Sequence, residues 1–270
     1  MTATDKQFTG AIPEFYDTYL VPMIFDAYAV DLADRVALLA PDAVLEVAAG
    51  SGVVPRALAP QLGPHTRYVV TDLNQPMLDH ATAKQGPDDR IEWQQADALD
   101  LPFADASFDA VICQYGVMFY PDRVKGHAQA RRVLRSGGRY IFNVWDHIKS
   151  NEFADVVTEA AASVFPDNPP RFLPRTPHGY HDVELIRQDL TAAGFSDISI
   201  VTLEKISRAP SPRHPAIAYC QGTPLRSEIE SRNVNLLDHV TEIAAQAIAK
   251  RFGDGPVEAK IRAHIVTASR

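Results

Sequence analysis

Apolar positions recur at helical spacing through residues 11–40, where Phe15 and Tyr19 are followed by Phe25, Ala29, Leu32, Val36 and Leu39. After Pro41 and Asp42 the pattern changes to a short run, Ala43-Val44-Leu45-Glu46-Val47. Its length and β-branched content predict a buried parallel strand. The turn Ala48-Ala49-Gly50-Ser51-Gly52 follows, and then a helix to about Leu62, stopped by Gly63-Pro64. Pro55 fits that helix because it falls near the first turn, where backbone N–H groups have no intrahelical partner. The alternation then repeats. Strands are predicted at Tyr68–Thr71, ending in Asp72, at Ile91–Gln95, at Ala110–Cys113 and at Arg139–Trp145. Helices are predicted from an N-cap at Asn74 to about Lys84, and over Asp122–Leu134 before Gly137-Gly138.

Strands alternating with helices imply right-handed βαβ units, and so an α/β fold: an open, doubly wound, mostly parallel sheet with helices on both faces. Past Asp146 the rhythm breaks. Pro166, Pro169, Pro170, Pro174 and Pro177 mark residues 147–181 as a loop-rich excursion. Core pattern resumes over 182–206, with a helix at Asp182–Ala193 and a strand near Ile198–Leu203. Pro210, Pro212 and Pro215 open a second excursion, 207–257, which holds a helix at about Leu236–Arg251. Residues 258–270 carry the last strand, about Arg262–Ala268, which brings the sheet to seven strands.

Composition narrows the function classes. With 270 residues and 46% hydrophobic content the chain can bury a large core. Its 34 acidic against 26 basic residues, net −8, match phosphate backbones and anionic lipid poorly, so nucleic acid is not expected as a partner. Cys113 and Cys220 form no CxxC pair, which points to neither disulfide nor zinc and suits a reducing cytoplasm. The first residues lack an apolar signal segment. Asp26, Asp31, Asp34 and Arg35 interrupt the apolar stretch Leu20–Ala40, so no stable membrane insertion is expected.

The candidate chemistry gathers where strands end. Gly50 and Gly52 can take positive φ and let backbone N–H groups approach a ligand, although a Gly-x-Gly pair also occurs in ordinary αβ turns. Asp72 stands about twenty residues on, at the end of the second strand, where a carboxylate accepts both ribose hydroxyls of a nucleoside. It could equally serve as a helix-terminal charge. Asp97 with small Ala98 could flank an adenine, or Asp97 could be a plain turn residue. Gln114-Tyr115-Gly116-Val117-Met118-Phe119 follows the fourth strand, on the crevice side of such a sheet, where Tyr115, Met118 and Phe119 could also be packing residues.

The sequence resembles the class I S-adenosylmethionine-dependent methyltransferases, in particular the small-molecule branch with the ubiquinone and menaquinone biosynthesis methyltransferases. The resemblance rests on Val44–Gly52, Thr71–Leu78, Gln95–Phe103 and Leu134–Arg139, with Ser107-Phe108-Asp109 leading into the fourth strand. It implies S-adenosylmethionine as cofactor, an antiparallel last strand, and roles for individual residues. Glu46, Ala48, Ala49, Gly50 and Gly52 would hold the methionine moiety. Asp72 would take the ribose, with Leu73 and Met77 against the adenosine. Asp97 and Ala98 would flank the adenine, and Gln114 would lie near the methionine end. Ala48 replaces the family's first glycine, which should modulate affinity.

Methyl transfer from a sulfonium is an in-line displacement that asks mainly for positioning and exclusion of water. No residue stands out as a base, so no catalytic residue is assigned. Tyr115, Met118 and His147 are candidates to meet a small-molecule acceptor, and His178 and His181 read as loop histidines without a third metal ligand. Residues 1–40 and the two excursions are expected to cover the cofactor site as a helical and loop lid. Assembly as a homodimer is left open. Two other readings compete: a nicotinamide-dependent oxidoreductase, disfavoured because the turn is not Gly-x-Gly-x-x-Gly, and a non-catalytic S-adenosylmethionine-binding regulatory module.

Overall fold

In a computed structural model, which describes residues 15–270, seven strands form one sheet in the order β3-β2-β1-β4-β5-β7-β6. The first strands are β1 (Ala43–Glu46), β2 (Arg67–Asp72), β3 (Ile91–Gln95), β4 (Phe108–Gln114) and β5 (Leu134–Trp145). They pair in parallel, with Glu46 opposite Val70 on one side and Ile112 on the other. All four residues of β1 are buried, as a strand covered on both faces requires. The chain thus leaves β1 in one direction towards β2 and β3 and in the other towards β4 and β5. That reversal opens a crevice at the carboxyl end of β1.

The two remaining strands are β6 (Asp197–Ala209) and β7 (Val257–Ser269). Gly137 N–H donates to Arg270 O, and Asp146 N–H donates to Arg262 O, so β7 runs antiparallel to β5 as expected. Both strands are longer than the sequence suggested. The last residues of β6 and the first of β7 alternate in burial with few apolar runs, so periodicity marks them weakly.

Packing divides the chain into two units. One comprises Asp26–Val144, Tyr180–Leu203 and His264–Arg270. It holds α2 (Asp26–Ala37), α3 (Val53–Leu58), α4 (Gln75–Gln85), α5 (Arg123–Val133) and α8 (Val183–Ala192). Its core includes Leu32, Val44, Leu45, Tyr68, Phe108, Ile112 and Phe142. On one side of β5, His127 stacks on Phe142 at 5.3 Å and Tyr140 stacks on Phe195 at 5.8 Å. Burial lowers the His127 imidazole to about 3, so it packs as a neutral ring.

The other unit comprises the chain up to Phe25, Trp145–Gly179 and Glu204–Ala263. The expected N-terminal helices appear as α1 (Tyr16–Phe25), wound in the wide π form around Pro22, and as α2, which belongs to the first unit. Residues 1–14, the start of that expectation, lie outside the described residues. The excursion 147–181 is not loop-rich throughout. It opens with α6 (Glu152–Val164), whose Ala- and Val-rich face buries Phe153, Val157 and Ala161, and its prolines begin only after this helix. A short α7 (Phe172–Arg175) follows. The second excursion holds three helices rather than one: α9 (Arg213–Gln221), α10 (Leu225–Arg232) and α11 (Leu237–Phe252). Pro212 and Pro215 lie in the cap and first turn of α9, where proline costs no hydrogen bond. Phe153 meets Phe252 edge-on at 5.2 Å, which joins α6 to α11.

Candidate active site

The site begins with the way β1 ends. Val47 N–H still donates to Ile112 O across the sheet, after which Ala48 turns to φ +57°, Gly50 to +57° and Gly52 to +77°. Three left-handed residues within five fold the chain back sharply into α3. Only glycine takes this conformation without strain, so Ala48 carries a cost of about 1–2 kcal/mol. A Cβ on Gly50 would stand 3.7 Å from Met77 Cε, which places the expected Met77 against the turn. A Cβ on Gly52 would fall 2.8 Å from Ala81 Cβ on α4. Gly52 is therefore required by the approach of the turn to α4.

Asp72 fastens this turn. Its Oδ2 accepts from Gly50 N–H at 2.9 Å, and its Oδ1 accepts from Asn74 N–H at 2.8 Å and Asn74 Nδ2 at 3.3 Å. The sequence offered ribose binding or a helix-terminal charge. In the structure the carboxylate bridges the glycine turn and the entry to α4, and Oδ2 keeps acceptor capacity beyond its one bond. Thr71 supports the same junction, donating through Oγ1 to Glu46 O at 2.8 Å, while Ala49 N–H donates to Thr71 O at 2.9 Å.

Glu46 is 1% exposed. Its Oε2 accepts the hydroxyl of Tyr68, and among the described residues nothing hydrogen-bonds Oε1. Burial pushes its carboxyl up to about 8; the Tyr68 hydrogen bond opposes this, the nearby Asp72 charge adds to it and the Arg56 guanidinium opposes it. Burial also raises Asp72, against the hydrogen bonds from Asn74 and Gly50. Arg56 donates to Ser51 O at 2.7 Å and also faces Asp26. Two buried carboxyls beside a turn of small residues suit a ligand that carries positive charge.

The other expected residues divide. Leu73 is 44% exposed beside Asp72. Asp97 lies past the end of β3, exposed, and its Oδ1 accepts from Leu99 N–H at 2.9 Å, an Asx turn, with Ala98 half-buried next to it. Gln114 closes β4, half-buried, and Tyr115 follows at φ +53°. Met118 is buried in the short helical turn after it. His147, in the other unit, is exposed and caps a short 3-10 turn through Nδ1, which accepts from Lys149 N–H at 3.2 Å. His178, in that unit too, is buried against Asp146 O at 2.9 Å. Among the described residues no group of three His, Cys, Asp or Glu could hold a metal.

Four residues escaped the sequence reading: Tyr68, Arg56, Gly116 and Asn143. Asn143 Oδ1 accepts Tyr115 N–H at 3.0 Å and so secures the strained turn after β4. A Cβ on Gly116 would stand 2.6 Å from both Ala48 Cβ and Cys113 Sγ, so the turns after β1 and β4 touch there. The available signal was a lone polar residue in an apolar strand, as in Phe142-Asn143-Val144. Such a residue needs a buried partner.

A glycine turn at the reversal point of a 3-2-1-4-5-7-6 sheet, tied to an acid at the end of β2, is the arrangement of a class I methyltransferase fold. The comparisons agree. A family model described as a methyltransferase domain matches residues 45–142. The demethylmenaquinone methyltransferase of Deinococcus radiodurans is 32% identical over 165 residues, which cover 57% of this chain and 68% of that one. The chain belongs to the class I S-adenosylmethionine-dependent methyltransferases. The demethylmenaquinone methyltransferase of Clavibacter sepedonicus is 41% identical over 39% of this chain, and the match spans only 42% of that protein's length. Among solved structures, YcgJ of Bacillus subtilis superposes with a TM-score of 0.59 at 18% identity, covering 90% of this chain and 98% of its own. That likeness is one of fold.

Proposed function

We propose that the protein transfers a methyl group from S-adenosylmethionine to a small-molecule acceptor. The observation that carries this is the bridge from Asp72 to Gly50, which sets a carboxylate with spare acceptor capacity beside an open turn at the carboxyl end of β1. The residues present fit the cofactor. Asp72 would take the ribose hydroxyls. The turn Ala48–Gly52 and Glu46 would receive the methionine end, and Leu73 and Met77 would lie against the adenosine. Asp97 with Ala98 would sit by the adenine, and Gln114 near the methionine. Bound there, S-adenosylmethionine supplies a methyl group already activated by its sulfonium.

The chain's own part is to orient and to keep water out. The rigid turn, locked by Asp72 and by the contact at Gly116, fixes one reactant, and such positioning lowers barriers by about 7–11 kcal/mol. Tyr115 and Met118 are proposed to meet the acceptor; His147 stays a candidate from its sequence position alone. The names of the relatives favour a quinol-like acceptor. No helix among the described residues is long and apolar enough to cross a membrane, and the two free cysteines, Cys113 and Cys220, are buried; we place the protein in the cytoplasm.

Titration with S-adenosylmethionine, S-adenosylhomocysteine and NADH tests the donor. Micromolar binding of the first two and none of the third is expected; NADH binding alone would overturn the reading. Labelled donor offered with a panel of quinols, phenols, amines and carboxylates then reads the transfer itself. Donor binding without any labelled product would favour a regulatory module.

A further inference from the structure

We propose that Glu46 holds a proton in the ligand-free protein and releases it to solvent when the cationic donor binds, so that donor affinity is coupled to pH through this one residue. The inference rests on the reading of the site as a donor site.

The geometry gives Glu46 little to offset a negative charge. It is 1% exposed, its Oε2 is occupied by a single hydroxyl, and Oε1 has no hydrogen-bond partner among the described residues. An ionised carboxylate in such surroundings is costly, whereas a protonated one needs only one acceptor for its own O–H. The groups that face it are few. On β2 stand Tyr68, which donates to it, and Asp72, a second buried acid whose charge opposes ionisation. On β4 is Cys113, a buried thiol raised to about 12 and therefore neutral. On α3 is Arg56, whose charge acts on Glu46 only weakly because it is shared with Asp26 of α2 and with the Ser51 carbonyl. With burial dominant, Glu46 titrates at about 8.

The donor brings what the empty site lacks. Its sulfonium and ammonium are two positive charges, and an opposite charge within about 4–6 Å lowers a carboxyl's pKa by roughly 1–3. That range carries Glu46 from mostly protonated at pH 7 to between half and almost fully ionised. The proton passes to bulk buffer, and the buried carboxylate becomes the counter-charge of the bound cation. Between the lowered bound-state pKa and the free-state pKa, affinity should then rise by up to about tenfold for each pH unit, levelling off on either side of that window.

Calorimetric titration of the whole protein with S-adenosylmethionine, in phosphate and in Tris at pH 7, counts the protons released from the difference in heat. Wild type should release about 0.4–0.9 proton more than Glu46→Gln, which keeps an acceptor for Tyr68 but cannot ionise. The donor's own ammonium contributes equally to both proteins. Equal proton counts in two variants that both bind would overturn the proposal. Should Glu46→Gln fail to fold, Tyr68→Phe serves instead. Loss of the hydroxyl that favours the carboxylate should move the midpoint of the affinity–pH curve upward, and an unmoved midpoint would overturn it equally. Absence of donor binding by wild type at every pH would refute the functional reading and this inference with it, whereas binding without proton release refutes this inference alone.

Discussion

Replacing Gly52 by alanine tests the packing behind the glycine turn. The residue sits at φ +77°, and the added Cβ would lie 2.8 Å from Ala81 Cβ, 3.3 Å from Ala81 Cα and 3.4 Å from Arg56 Nη1. Left-handed backbone costs a residue with a side chain about 1–2 kcal/mol, and overpacking a filled contact about 1–3 kcal/mol. Alanine's narrower unfolded ensemble returns about 0.4–1 kcal/mol. The net loss is about 1–5 kcal/mol, a large part of a domain's typical stability of about 5–15 kcal/mol. A second substitution separates the two costs. Ala81→Gly deletes the atom at 2.8 Å but leaves φ untouched, and alone it costs about 1 kcal/mol as a glycine within α4. In the double variant the overpacking cost falls away, so the pair should couple by about 1–3 kcal/mol in favour of the double. Urea unfolding of the four proteins, followed by circular dichroism, measures this. Additive losses would refute the claim that Ala81 is what demands a glycine. A folded double variant that has lost donor affinity would show that the ligand demands it instead.

Asp72→Ala strips acceptors from Gly50 N–H and Asn74 N–H as well as from the donor, so affinity should fall by about 1.5–3 kcal/mol per lost bond. Unchanged affinity by calorimetry would refute the placing of the ribose. Gly116→Ala forces a Cβ within 2.6 Å of Ala48 Cβ and Cys113 Sγ and should destabilise by about 1–3 kcal/mol; Ala48→Gly should recover part of this, read as the shift in thermal midpoint. Glu46 also leaves a mark on stability. Its carboxyl is raised from an ordinary value near 4.5 to about 8, so the folded state binds more protons than the unfolded state between those limits. Its contribution is complete below about 4.5 and is lost at up to about 1.4 kcal/mol per pH unit as pH rises towards 8. Glu46→Gln should therefore gain on wild type across that window in urea unfolding, and parallel curves would refute the buried-acid account.

Legibility in the sequence followed how local each physical signal is. β1, β2 and β4 are legible because a strand buried on both faces must be a short apolar run, and Val44-Leu45 and Val69-Val70 show it directly. The helix at Glu152–Val164 is not, because the prolines that follow it lend their character to the whole stretch; a proline governs only its own turn and the residue before it. The outer parts of β6 and β7 fail for the opposite reason. Buried or half-buried positions alternate there with exposed ones, so no apolar run stands out.

The site divides in the same way. Gly50, Gly52 and Asp72 are legible because backbone conformation and strand ends are local properties. Tyr68 and Asn143 are not, because each acts on a residue more than twenty positions away that only the sheet brings near. The proton on Glu46 is further removed still. It depends on no described residue hydrogen-bonding Oε1, and a missing long-range partner is written nowhere in a chain. The same acid on a wet strand end would ionise near 4.5 and meet the donor as an ordinary counter-ion. What distinguishes this site is that the fold buries two acids a strand apart in different surroundings: Asp72 accepts backbone N–H groups from Gly50 and Asn74, whereas Glu46 accepts a single hydroxyl.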